Sequence, residues 1–238
     1  MAVASIEDRR AEVWDRLRGV IDPELDESVV DLGFVTYVDV EAGEKVRVGF
    51  RLPTYWCAAN FSYLMADDMR LAVGALPWVG EVEVTIGEHM YAEKINEGLK
   101  RASFAEAFGD EADDDLGALR RTFLVKAFQR RQSALLDHLI AAGFSAAQLA
   151  DMSLEELSAA DLDDAGSALR RRYFERRGVV GEADAGRAFV DAEGERLQAE
   201  TLGVYMRAMR RVGVNAEFNG ALCRGLLRER FGLDAPEA

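Results

Sequence analysis

The chain carries two cysteines and two histidines, and these four side chains bound the nucleophilic and soft-metal chemistry open to it. Cys57 follows Pro53-Thr54, between a run of alternating apolar residues and a helical pattern. The spacing predicts a helix over about Tyr55 to Leu76, with Thr54 as its cap and Cys57 in its first turn. Unpaired backbone N–H groups and the helix dipole stabilise an anion there, so a Cys57 thiolate would serve as nucleophile or metal ligand. The competing reading makes Cys57 a small buried hydrophobe between Trp56 and Ala58. His89 lies in Gly87-Glu88-His89-Met90, a strand-end loop of the kind where functional groups sit. His138 lies inside the helical stretch 134–140 and reads as structural. Cys223 shares a helical face with Leu227, which suits a core cysteine.

Several catalytic constellations are missing from the sequence. It contains no HExxH, no ExxH of the diiron-carboxylate kind, no Walker A motif, no GxGxxG and no GxSxG. No base is paired with Cys57 in sequence either.

The elements that must position these residues follow from periodicity. Val13, Trp14, Leu17 and Val20 recur at helical spacing, and Asp22-Pro23 is expected to stop that helix. Glu24 to Gly33 reads as a turn-rich connector in which Gly33 takes a positive φ. Phe34 to Val40 and Lys45 to Leu52 read as strands, joined by a hairpin at 41–44. In the second, Val46, Val48, Phe50 and Leu52 alternate with Lys45, Arg47, Gly49 and Arg51. A third strand holds Val82, Val84 and Ile86. The fold class is therefore α+β: a two-layer α/β N-terminal domain (α-β-β-α-β) over residues 1–98, followed by a mainly α-helical C-terminal domain over 117–238. Residues 99–116, with five carboxylates between Asp110 and Asp115, read as an acidic linker. In the helical part, Leu116 to Ala142 ends at Gly143, and Ser153 with Glu156 forms a capping box. The basic run Leu169 to Arg177 reads as a helix face, with contact to an acidic partner as the sharper alternative. Residues 188–197 hold a small hairpin signal, and Thr201 to Arg211 and Asn219 to Arg230 read as two closing helices.

Charge narrows the partners. A formal net charge of −14 repels a phosphate backbone, so no nucleic-acid partner is expected. No run approaches the roughly 18 apolar residues of a membrane span. Residues 1–10 carry Glu7, Asp8, Arg9 and Arg10 in place of an apolar signal segment. A cytoplasmic location without a membrane partner is the expectation.

Asp22-Pro23-Glu24-Leu25, then Ser28-Val29-Val30-Asp31-Leu32-Gly33, then the alternating strand leading to Cys57 resemble the iron–sulfur cluster assembly domain family that includes the SufT and PaaD-like proteins. The resemblance covers about residues 8–98. It implies that Cys57 is the reactive or metal-associated residue and that Asp31 lies near it. Family members carry a Thr-x-x-Cys-Pro turn; Thr54-Tyr55-Trp56-Cys57-Ala58 keeps the spacing but inserts two aromatics and lacks the proline. The helical extension resembles that of longer members associated with diiron monooxygenases.

The resemblance implies a metalloprotein maturation factor that delivers iron or a transient iron–sulfur cluster to a client metalloprotein, such as a diiron monooxygenase, through Cys57. In this reading Tyr55 and Trp56 contact the client, the helical extension recognises it, and a homodimer is compatible with the role. A sharper form brings Cys223 back to Cys57 as a second sulfur ligand, with His89 or Asp31 completing a site for one soft or borderline metal. A metal-independent assembly chaperone for a diiron monooxygenase hydroxylase is the alternative, and a thiol-dependent enzyme is the third reading.

Overall fold

The computed structural model describes residues 5–41, 44–109, 116–181 and 186–232. Ser5 opens the first helix, α1 (Ile6–Arg18). Its hydroxyl accepts from the Asp8 N–H, while the Asp8 carboxylate accepts from the Ser5 N–H. Val13 and Leu17, one turn apart, are its buried residues. The helix stops at Gly19, ahead of the expected stop at Asp22-Pro23, because the Gly19 N–H turns back to the carbonyls of Arg16 and Leu17.

Asp22-Pro23 instead builds a closed turn. The buried Asp22 accepts through Oδ1 from the N–H groups of Glu24 and Leu25, each at 2.8 Å, and its own N–H donates to the Glu27 carbonyl at 2.8 Å. Gly33 follows with φ +71°, as its predicted role requires.

Three strands, β1 (Val35–Val40), β2 (Lys45–Phe50) and β3 (Glu81–Ile86), form one sheet in the order β1-β2-β3. β1 and β2 pair antiparallel, as a hairpin requires; residues 42 and 43 of its predicted turn lie outside the described residues. β2 and β3 pair parallel, connected through α2 (Ala59–Gly74). The predicted alternation holds in β2, where Val46, Val48 and Phe50 are buried and register with Val82, Val84 and Ile86. Gly49 has a steric reason: a Cβ there would sit 2.0 Å from Cε1 of Tyr37. Its absence lets the Tyr37 ring cross β2 and bring its hydroxyl 3.3 Å from Oγ1 of Thr85.

Two further helices, α3 (Ala92–Arg101) and α4 (Phe104–Phe108), run past residue 98 into the stretch read from sequence as linker. Leu99, Phe104 and Phe108 belong to the core, with Phe104 and Phe108 stacked at 4.3 Å, so 99–108 is packed structure. The acidic residues 110–115 lie outside the described residues.

The chain divides into two compact units, Met1–Leu116 with Phe218–Ala238, and Gly117–Glu217. The second holds nearly all of α5 (Leu116–Ala141), together with α6 (Ala146–Asp151), α7 (Leu154–Ala159) and α8 (Asp164–Arg177). Gly143 takes φ +99° after α5, and Ser153 with Glu156 forms the predicted capping box at α7. The predicted hairpin appears as a single antiparallel bridge between Val190 and Arg196. Arg170 of the basic run donates to the carbonyls of Leu157, Ser158 and Ala160, and Arg177 to that of Arg187, so these cations brace loops of their own unit. The two closing helices read from sequence are one helix, α9 (Leu202–Phe231), counted with the second unit up to Glu217 and with the first from Phe218. Gly213 does not break it, since an interior glycine costs a helix only about 1 kcal/mol.

Candidate functional site

Parallel pairing of β2 and β3 sets the loops after their carboxyl ends side by side, the position where α/β sheets commonly place a site. The first loop, 51–58, carries Cys57; the second, 87–91, carries His89. α2 begins at Ala59 with Ala58 as its cap residue, and Ala58 makes no side-chain capping bond. The predicted start near Tyr55 is therefore corrected: Cys57 stands two residues ahead of the helix, outside its first turn. Thr54 does not cap the helix; its hydroxyl lies 3.0 Å from the Cys57 sulfur. A side chain that can bond locally competes with helix initiation, and here the sulfur is its partner.

The second loop clamps the first through the backbone. The Met90 N–H donates to the Tyr55 carbonyl at 2.9 Å. His89, only 4% exposed, accepts from the Tyr91 N–H through Nδ1 at 3.0 Å. Its Nε2 is thereby the donor, and it reaches the Cys57 carbonyl at 2.7 Å. Both ring nitrogens of His89 are thus turned to backbone, and the residue positions the cysteine loop. His138, in the second unit, meets the Asp163 carboxylate through Nε2 at 3.0 Å, a structural placement. Tyr55 and Trp56, at 51% and 71% exposure, stand outside the clamp with their rings in solvent.

The end of α9 belongs to the same compact unit as this loop. The Asn219 amide donates to Glu24 at 2.9 Å, and Arg224 donates to both carboxylate oxygens of Glu27 at 2.9 and 3.0 Å. Arg230 donates to the Pro53 carbonyl at 2.8 Å and to Glu88 at 3.0 Å, joining the two site loops. The Arg51 guanidinium lies 4.2 Å from the Phe231 ring centre. Cys223, between these anchors, is half-buried against the core that also receives Cys57. Burial, then the charges of Cys57, Asp22 and Glu24, push the Cys223 thiol up to about 11.

Asp31 stands exposed in the segment before β1. The carboxylates whose charge reaches Cys223 are Asp22 and Glu24. Burial pushes the Asp22 carboxyl up to about 6, against the two backbone bonds that lower it. From the sequence, Asp22 reads only as a helix stop. The available signal was Asp-Pro itself, whose side chain can accept from the next N–H groups and turn inward. Among the described residues, no group of three or more His, Cys, Asp or Glu side chains is arranged to hold a metal ion. Nor is any described helix long and apolar enough to cross a membrane.

A family described as iron–sulfur cluster assembly protein matches residues 10–85, a segment that contains Asp22, Asp31, Thr54 and Cys57 and ends before His89 and Cys223. The chloroplastic Fe-S cluster assembly factor HCF101 of Oryza sativa subsp. japonica is 35% identical over 107 residues, which is 43% of this chain and 20% of that factor. The chain therefore spans about a fifth of that relative's length. An uncharacterized protein of Methanocaldococcus jannaschii is 37% identical over 93 residues, 38% of this chain and 94% of that protein. A crystal structure of a domain of unknown function from Bacillus anthracis aligns with 23% identity and a TM-score of 0.33, over 40% of this chain and 92% of that one. The archaeal relative is covered almost end to end, and the family's own segment includes the turn that carries Cys57; on these grounds the chain belongs to the iron–sulfur cluster assembly protein family.

Proposed function

We propose that the chain is a metalloprotein maturation factor that carries iron or an iron–sulfur cluster as transient cargo at Cys57 and passes it to a client metalloprotein. The observation that supports this reading is the clamped cysteine loop. His89 and Met90 hold the backbone on either side of the thiol, so its place does not depend on the sulfur's own bonds. Thr54 orients the sulfur from within the loop. Cargo that must leave needs few protein ligands and an open side, and a single presented thiol meets that need where a closed four-ligand site would not.

A client has to bring its own ligands up to this sulfur. Trp56 and Tyr55 are the exposed aromatics beside it, and aromatics of this kind commonly anchor interfaces. In finer terms we read the chain as a SufT/PaaD-like cytoplasmic member whose helical extension recognises one client, a diiron monooxygenase. The exposure of the same two rings favours a second reading, a metal-independent assembly chaperone.

Anaerobic incubation of the full chain with ferrous iron and sulfide separates the two. The wild type is expected to acquire iron and colour, and Cys57→Ser to lose about tenfold or more of that binding. A colourless, iron-free wild type, with Cys57→Ala still supporting a folded and active client in cells, would replace delivery by the chaperone reading.

A further inference from the structure

The chain's two cysteines lie far apart in sequence but in one compact unit, and both pack against the same core. The placement of Cys223 is anchored on both sides. Asn219, one turn before it, is bonded to Glu24, and Arg224, next to it, holds Glu27 with two bonds. Arg230, two turns after it, is bonded to Pro53, the residue that opens the Cys57 loop. The last turns of α9 are thereby fixed along both the Asp22 turn and the cysteine loop. Asn219, Cys223 and Arg230 fall four and seven residues apart on α9, so the face of the helix that carries Cys223 is the one bonded to the Asp22 turn and to the cysteine loop. Two soft donors set along one loop make a ligand pair for a soft or borderline cation.

We propose that Cys57 and Cys223 form a two-thiolate clamp for a single soft or borderline divalent cation, with the remaining coordination positions left for ligands from outside the chain. Binding forms two metal–sulfur bonds and releases one proton from each thiol to solvent. The described residues offer no third ligand arranged with the pair. Among the described residues the site is therefore open, as transfer requires, and differs from a structural zinc site closed by four side chains. Cys223 lies outside the segment that matches the family, so the second sulfur is supplied by this chain's own extension. The inference rests on the proposed cargo role of Cys57 and adds to it the second ligand and the class of ion.

Zinc ion alone, titrated anaerobically into the full chain against a competing chelator, tests the clamp. One ion per chain is expected, and Cys57→Ser and Cys223→Ser are each expected to weaken binding about tenfold or more. With cobalt(II) as the probe, the thiolate-to-metal absorption of each variant should fall by about half, since one of two sulfurs is lost. A measurement on the wild type needs no variant to fold: bound zinc should protect both Cys57 and Cys223 from iodoacetamide, read by mass spectrometry. Protection of Cys57 alone, or zinc affinity in Cys223→Ser equal to the wild type, overturns the clamp. Iron loading that requires Cys57 and is indifferent to Cys223 overturns it too, while leaving the cargo role of Cys57 standing. Zinc held by both thiols in a chain that takes up no iron or cluster supports the clamp and removes the cargo reading.

Discussion

Gln132 and His89 are both buried polar side chains, and the two units use them in opposite ways. In the second unit Gln132 is fully buried and closes a network on itself. Its amide donates to the Val190 carbonyl and the Tyr205 hydroxyl, each at 2.7 Å, and its oxygen accepts from the Tyr173 hydroxyl at 3.0 Å and the Val190 N–H at 3.2 Å. The single Tyr173 O–H proton is shared between the Gln132 oxygen and the Ala188 carbonyl. Each member of this network has its partner inside it, which rigidifies a core and leaves nothing over for chemistry. In the first unit His89 is as well satisfied: Nδ1 accepts from the Tyr91 N–H of its own loop, and Nε2, with the Ser62 hydroxyl 3.5 Å away, donates to the Cys57 carbonyl beside the thiol. The order it creates is transmitted to Cys57. Buried polar groups of similar quality can therefore close a core or hold a reactive group in place, depending on whether their partners lead back to the core or outward.

The largest effect should come from breaking the closed network. Gln132→Leu removes both faces of the amide and leaves the Val190 N–H and carbonyl and the Tyr205 hydroxyl short of partners, while the Tyr173 hydroxyl keeps the Ala188 carbonyl. A loss of about 3–5 kcal/mol is expected in urea denaturation, with the iodoacetamide labelling rate of native Cys57 unchanged. A loss below about 1 kcal/mol would show that the network does not organise that core.

Asp22 gives the next effect, and its sign is opposite. Its carboxyl sits at about 6 in the folded chain against an ordinary 3.8, so the folded state holds the proton more tightly. Its contribution to stability is complete below pH 3.8 and is lost as pH rises through about 6, a span worth about 3 kcal/mol. Asp22→Asn keeps the acceptor for the Glu24 and Leu25 N–H groups and removes the buried charge. The variant should match the wild type near pH 4 and exceed it at pH 8 by up to about 3 kcal/mol. Equal differences at both pH values would mean that burial of this charge carries no cost.

Trp56→Ser should be the smallest perturbation of the fold. With the ring 71% exposed, the change in stability is expected within about 0.5 kcal/mol, a shift in Tm of about 2 °C or less. A larger drop would assign Trp56 to the fold and remove it from the client surface.

Much of the first unit, and some of the second, could be read from pattern. In the first, the order α-β-β-α-β, the alternation through Val46, Val48 and Phe50 and the positive φ of Gly33 are present in the structure, and in the second the capping box at Ser153. Each is a short-range property, in which a period of two or 3.6 or a single cap residue states its own geometry. Placements that depended on competition between partners were not legible. Thr54 looked like a helix cap because its alternative partner, the Cys57 sulfur, has no sequence signature. Asp22 looked like a helix stop because burial is decided by what packs over a turn. Thr201 to Arg211 and Asn219 to Arg230 read as two helices, and they are one because the modest cost of Gly213 is outweighed by the helix on either side.

Local pattern alone was enough to set the strands, most of the helices and the cysteine beside Thr54, because these rest on interactions between residues a few positions apart. Long-range packing decided the rest. It chose which backbone groups His89 would bind, how far α3 and α4 would extend the first core, and where Cys223 would come to lie. The bond from Asn219 to Glu24 joins residues 195 positions apart, and no periodicity records a pairing at that range. Such a contact exists only once the sheet, the Asp22 turn and the end of α9 have each formed their surfaces, so the setting of the second cysteine is a property of the folded unit.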